Sequence, residues 1–304
     1  MIKKYFRYLL RIISVLFICV LIYLVYIIFW IRNFNGEQSK AVENINVEFH
    51  QTFPIIRDPN GYFGVIATVN GQYVDTLLFD TQASTSLAKQ ETLDRYEAEY
   101  WKRKPMPTFN FYKQVYFSKL YKVNDITLGD GKLEGVIFTS VPKDNGMYNA
   151  LYRPVLGRAI MENIGWKFDL DSNEMVMFAP DNEQLLKYES KGFTLTKEGV
   201  NDLQLYSEQT DTLNVMFDLG SNYDIIIDKT VYEKLRKRQT PRMYTNYHRE
   251  GLTDTIAEFH DITVFCNGIA IPDCTLSYIP SIDRNVAGNI FAGKINFILA
   301  NGDL

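Results

Sequence analysis

Two short segments carry the residues with the most chemical potential. LLFDTQASTS, Leu77 to Ser86, runs an apolar strand into Asp80, then Thr81 and Gln82. LNVMFDLGSNYDIII does the same with Asp218, followed by Leu219, Gly220 and Ser221. An acid at the end of an apolar strand is carried toward the interior, where it needs a partner or water. Two such carboxylates brought together cannot both ionise cheaply, so one keeps its proton while the other acts as a base. Ser84 and Ser221 stand in no G-x-S-x-G setting, and the three His show no clustered metal-ligand spacing. Neither a serine nucleophile nor a zinc site is expected, and no cofactor is.

The elements around the two acids read mostly as strands. YFGVIATV (62–69), the pair Asn70-Gly71 and QYVDTLLF (72–79) form a hairpin signal with a type I′ turn. KQETLDRYEAEYWKRK, free of Gly and Pro until Pro105, predicts a helix. FNFYKQVYFSKLYKVNDITL and KLEGVIFTSV predict strands, being aromatic and β-branched. PVLGRAIMENIGWKFDLDSNEMVMF then gives Val155-Leu156-Gly157, a short helix and a strand–turn–strand. The second half repeats this order, with a short helix in DKTVYEKLRKR capped by Asp228, a hairpin around Asn267-Gly268, and Val286-Ala287-Gly288. Gly157 lies 77 residues after Asp80, and Gly288 lies 70 after Asp218. A repeat this long points to a duplicated domain rather than a solenoid.

Phe-Asp in each half, followed some 70 residues later by two hydrophobic residues and Gly, resembles the aspartic peptidases. The resemblance spans roughly Gly61 to Leu304. It implies a mainly β, two-lobed, pepsin-like double β-barrel with a few short helices, lobes at about 46–180 and 190–304, and a linker at 181–189. It implies that Asp80 and Asp218 are the catalytic pair, one activating a water and the other polarising the peptide carbonyl. Thr81, Gln82, Leu219, Gly220 and Ser221 fall on the supporting loops. The family's Asp-Thr/Ser-Gly is broken once per lobe, by Gln82 in place of Gly and by Leu219 in place of Thr or Ser. These changes threaten the loops, since Leu219 brings no hydroxyl and leaves Thr81 in need of another partner. If the degenerate loops limit activity, Gln82→Gly with Leu219→Thr is a repair expected to raise it. The implied partner is a peptide or protein in the cleft between the lobes. The alternative is an inactive member of the fold that only binds there. A flap tyrosine, Tyr112 or Tyr116, is sought in the stretch Phe111–Tyr121.

Charge and hydropathy set the location. Residues 1–32 carry Lys3, Lys4, Arg7, Arg11 and Arg32 and no acid, so the remainder nets -9 of an overall -4. That acidic balance argues against nucleic acid. Ile12 to Ile31 is 20 residues without a charge, enough for about 30 Å of hydrocarbon. It ends in Phe29, Trp30 and Ile31 rather than in small residues, so an uncleaved anchor is expected. Residues 1–11 then lie in the cytoplasm and the rest outside it, in a periplasmic or extracellular compartment. Tyr8 and Trp30 sit at the two aromatic belts, and 32–45 reads as a polar linker.

Two smaller expectations follow. A turn at Asn267-Gly268 sets Cys266 opposite Ile269 and Cys274 opposite Asp261, so a disulfide and two buried thiols both stay open. The chain stops near the point where the first lobe's closing hairpin continues to Glu174–Phe178. The second lobe's last strand should be missing or supplied from elsewhere, with NVEFH (46–50) as the candidate.

Overall fold

The computed structural model describes residues 2–41, 50–109, 115–143, 146–179, 192–195, 203–247 and 253–299. It is mainly β: an N-terminal helix, Ile2–Lys40, precedes two β lobes with short helices. The helix holds a 24-residue stretch, Arg11–Phe34, whose most apolar 18 residues have mean hydropathy 3.1, long and apolar enough to cross a membrane. It does not stop at Ile31. The expected linker is helical as far as Lys40, where Glu37 and Lys40 form a pair one turn apart.

Each lobe is built on a sheet that closes on itself. In the first, Phe63–Val69 and Tyr73–Asp80 form the expected hairpin, with Asn70 and Gly71 both at positive φ (48° and 67°) as a type I′ turn demands. Val69 also pairs with Ile126 of the long strand Val115–Leu128, which bends the sheet round. In the second, Leu203–Ser207 pairs with Asp211–Phe217 and also with Thr253–Cys266. Helix Lys229–Leu235 is capped by Asp228, whose carboxylate accepts from the Val231 N–H at 2.9 Å. The helix expected over 89–104 is only Gln90–Arg95. Glu99–Phe109 is a strand paired with Val115–Leu128, so the aromatic and cross-strand demands of Tyr100 and Trp101 overrode the helix-forming composition.

The lobes meet in a third sheet. Gly165–Asp169 of the first lobe pairs antiparallel with Asn296–Leu299 of the second, setting Phe168 opposite Phe297. Their rings stack at 4.3 Å. Phe79 lies 4.9 Å from Trp166, and Phe217 lies 5.3 Å from Phe297. The residue before each Asp is thus fully buried in one aromatic core shared by both lobes. Each such ring contributes about 1.5–3 kcal/mol by burial, and the pairs add about 0.5–1.5. Asn296–Leu299 takes Gly192–Leu195 as a parallel neighbour, not 46–50. His50 instead begins His50–Pro54, which pairs with Glu174–Phe178 at the opposite edge; residues 46–49 lie outside the described ones.

Cys266 and Cys274 are free and buried, and burial pushes both thiols up to about 12. Cys266 faces Ile269 as expected. Cys274 faces Ile262 rather than Asp261, because irregularities in the pairing flank Ile262.

Candidate active site

The two Asp loops are built alike. In the first lobe, Val155–Gly157 lies between two arms: parallel to Tyr73–Asp80, with Asp80 opposite Gly157, and antiparallel to Ser86–Lys89. In the second, Val286–Ala287 lies parallel to Asp211–Phe217 and antiparallel to Ile225–Ile227. The loop hydrogen bonds also match. Arg158 N–H donates to Ala83 O at 2.7 Å, and Asn289 N–H donates to Ser221 O at 2.8 Å. Each acceptor is three residues past its Asp. The glycine of each threading segment is needed for close approach. A β-carbon at Gly157 would stand 2.3 Å from Thr85 O, and one at Gly288 would stand 2.2 Å from Tyr223 O.

Asp80 and Asp218 converge on Gly220. Its N–H donates to Asp218 Oδ1 at 2.8 Å. A β-carbon built on it would stand 2.4 Å from Asp80 Cγ and Oδ2. One glycine therefore touches both carboxyls, and any other residue there would displace Asp80. Asp80 is half-buried and Asp218 buried.

The carboxyls differ in their donors. Asp80 Oδ1 accepts from Gln82 N–H at 2.8 Å and Ala83 N–H at 2.7 Å. Burial raises the Asp80 carboxyl, and these two donors pull it back. Burial and the charge of Asp80 raise Asp218 well above the ordinary carboxylate range, and Gly220 N–H alone opposes them. The pair titrates as one unit. Within it, Asp80 has the environment of the ionised partner and Asp218 that of the protonated one.

The departures from Asp-Thr/Ser-Gly are accommodated. Thr81 Oγ1 donates to Phe217 O across the lobe junction at 2.9 Å and accepts from Leu219 N–H at 3.1 Å. Thr81 needs no hydroxyl at 219, because the backbone of the other lobe satisfies it. Leu219 turns its fully buried side chain into the shared core. Gln82 Nε2 also donates to Phe217 O, at 2.9 Å, adding a second cross-lobe bond where Gly would add none. Ser221 closes its loop through backbone, its N–H donating to Asp218 O at 3.1 Å. Of the flap candidates, Tyr112 lies outside the described residues, and Tyr116 pairs with Thr108 near one end of its strand.

Two supporting residues escaped the sequence reading, although both lie six residues after their Asp. Ser86 Oγ accepts from Gly157 N–H at 3.2 Å. Asp224 uses its backbone oxygen for Gly288 N–H at 2.9 Å. The Asp224 carboxylate is buried, bonded to Thr275 N–H and, at 2.5 Å, to Lys294 Nζ. That spacing repeat was the available signal. No group of three or more His, Cys, Asp or Glu able to hold a metal ion occurs among the described residues.

No protein-family model matches the chain, and no curated protein does. Among solved structures, it is similar to a retropepsin-like aspartic protease from Rickettsia conorii. The match has 18% identity and a TM-score of 0.33, covering 42% of this chain and 91% of that one.

Proposed function

We propose that the protein is a membrane-anchored aspartic peptidase that hydrolyses peptide bonds in the cleft between its lobes. The observation that carries this is Gly220, held against Asp80 and bonded to Asp218, which brings the two carboxyls to one point at the lobe junction. Asp80, carrying the charge, takes a proton from water. Asp218, carrying the proton, donates toward the carbonyl oxygen as the tetrahedral intermediate forms. Peptide in extended form is the natural occupant of a cleft between two β lobes. The reading in which the cleft binds without cutting draws on Gln82 and Leu219. Both residues are accommodated without loss of the cross-lobe bonds, which favours catalysis.

Residues 11–34 are the anchor in this reading. The basic residues before them place the N-terminus in the cytoplasm and the lobes in the extracytoplasmic space. The test is cleavage of a peptide library between about pH 3 and 7 by full-length protein in detergent. Cleavage by the wild type, lost in both Asp80→Asn and Asp218→Asn, supports the proposal. A wild type that binds peptides but releases no fragments at any pH defeats it.

A further inference from the structure

The helix that carries the apolar stretch does not leave the first lobe on a tether. Phe34 is buried against Leu120 and Ile137, with Trp30, Trp101 and Ala159 packed around them. Trp101 stands 6.3 Å from Trp30 and 6.0 Å from Phe34. Farther along, Lys122 pairs with Glu37 at 3.4 Å. Glu134 N–H, opposite Asp125 in the sheet, donates to Ala41 O at 2.9 Å. Contacts at 125, 122 and 120 on the strand thus fall beside 41, 37 and 34 on the helix. Strand Val115–Leu128 and the helix run side by side in the same direction.

That alignment continues past the last contact. Phe117 is three residues, about 10 Å, beyond Leu120 toward the strand's start. At the pace of those contacts, Phe117 falls about four helix residues below Phe34, level with Trp30 and inside the Arg11–Phe34 stretch. At that level the strand shows apolar side chains outward: Phe117 is 69% exposed and Val115 is 51%. Lys119 follows on the same face, nearer the lobe, with its Nζ 5.9 Å from the Tyr100 ring. Apolar below and cationic above is the order of an interfacial segment, with lysine reaching for the headgroups. The two paired strands also carry Lys102, Arg103, Lys104, Lys119 and Lys122 against Glu99 and Asp125, in a chain otherwise net acidic. Anionic headgroups attract such a segment.

We propose that strands Glu99–Phe109 and Val115–Leu128 rest in the headgroup zone of the bilayer crossed by the helix, through Val115 and Phe117. The first lobe is then fixed to the membrane at two points, with the dyad at a set height and tilt above it. This rests on reading residues 11–34 as a membrane span.

The test uses full-length protein in vesicles of phosphatidylcholine and phosphatidylglycerol. An environment-sensitive fluorophore is attached at Phe117→Cys in a Cys19→Ser background, since Cys266 and Cys274 are buried. Val74→Cys is the comparison. It is 71% exposed and lies opposite Thr68, whose partner Thr127 is twelve residues, about 40 Å, up the strand from Val115. Ile22→Cys, in the middle of the apolar stretch, reports the span itself. The proposal expects quenching at 117 by lipids spin-labelled near the headgroup, several-fold stronger than at 74, and iodide quenching weaker by a similar factor. If 22 is lipid-quenched but 117 is as open to iodide as 74, the second contact does not exist. If 22 is also open to iodide, the span fails and the proposal falls with it.

Discussion

The hydroxyl of Thr81 donates to the carbonyl of Phe217 across the lobe junction at 2.9 Å, so the residue after one Asp is bonded to the residue before the other. Thr81 Oγ1 also accepts from Leu219 N–H, and Thr81 is buried. Removing the hydroxyl leaves a buried donor and acceptor without this partner, at about 1–3 kcal/mol. Thr81→Ala should lower the thermal midpoint and cut peptidase activity by more than tenfold, while Thr81→Ser retains most of both. Equal losses in the two variants, measured by calorimetry and initial rates, would show that the methyl rather than the hydroxyl matters.

Gly220 separates activity from stability. Its N–H is bonded to Asp218 and its Cα faces Asp80, where a β-carbon would come within 2.4 Å of the carboxyl. Real β-carbons do not approach so closely, so the Asp80 carboxyl must move away from residue 220 and out of its place in the site. Gly220→Ala should abolish cleavage and return the Asp80 carboxyl toward ordinary behaviour, with a change in unfolding free energy of about 1–2 kcal/mol. Carboxyl titration followed by NMR reads the first effect and denaturant unfolding the second. A fully active Gly220→Ala would show that the dyad is not built as described.

Installing the Asp-Thr/Ser-Gly pattern in both loops should not help this chain. Leu219 is fully buried in the shared core, and threonine there loses apolar contact and buries a hydroxyl, a cost on the order of 2–4 kcal/mol. Gln82→Gly removes the Nε2 bond to Phe217 O and loosens the loop. The double variant Gln82→Gly, Leu219→Thr should therefore unfold at lower denaturant and gain no activity, the reverse of what the motif alone suggests. A gain in the rate of cleavage by the double variant would restore the sequence-based view that degenerate loops limit cleavage.

Much of this architecture was legible because duplication writes itself twice. Phe-Asp and the later glycine recur at matched spacing, and Gly157 and Gly288 have one physical reason, the oxygen a β-carbon would strike. The I′ turn at Asn70-Gly71 and the Asp228 cap were local chemistry and came through intact. What failed was non-local. Gln90–Arg95 ends early because Glu99–Phe109 finds a strand partner that composition does not announce. Leu219 looked like a lost hydroxyl because sequence cannot show that Thr81 bonds to backbone. Gly192–Leu195 fills the edge assigned to 46–50, a choice between distant segments made only by packing. Trp30 read as the rim of a membrane span and Phe34 as part of a polar linker; nothing in the sequence said that Trp101 and Leu120 would meet them.

The dyad should make the protein less stable as the pH rises. Asp218 is raised well above its ordinary range by burial and by the Asp80 charge, so between the unfolded pKa, about 3.9, and the raised folded value the native state binds more protons than the unfolded chain. Stability falls as pH rises through that window, by about 1.4 kcal/mol per unit of pH, and the penalty is absent below it. Asp218→Asn removes the ionisable group, and its amide oxygen can still accept from Gly220 N–H. Its thermal midpoint should exceed that of the wild type at about pH 7.5 and converge with it near pH 3.5. Carboxylates outside the pair act on both proteins and cancel in the difference. Cleavage by the wild type should fall over the same rise in pH, as the shared proton is lost and only the like-charged pair remains. Parallel stability curves for wild type and Asp218→Asn would mean that Asp218 ionises normally, and the assignment of the proton to it would be wrong.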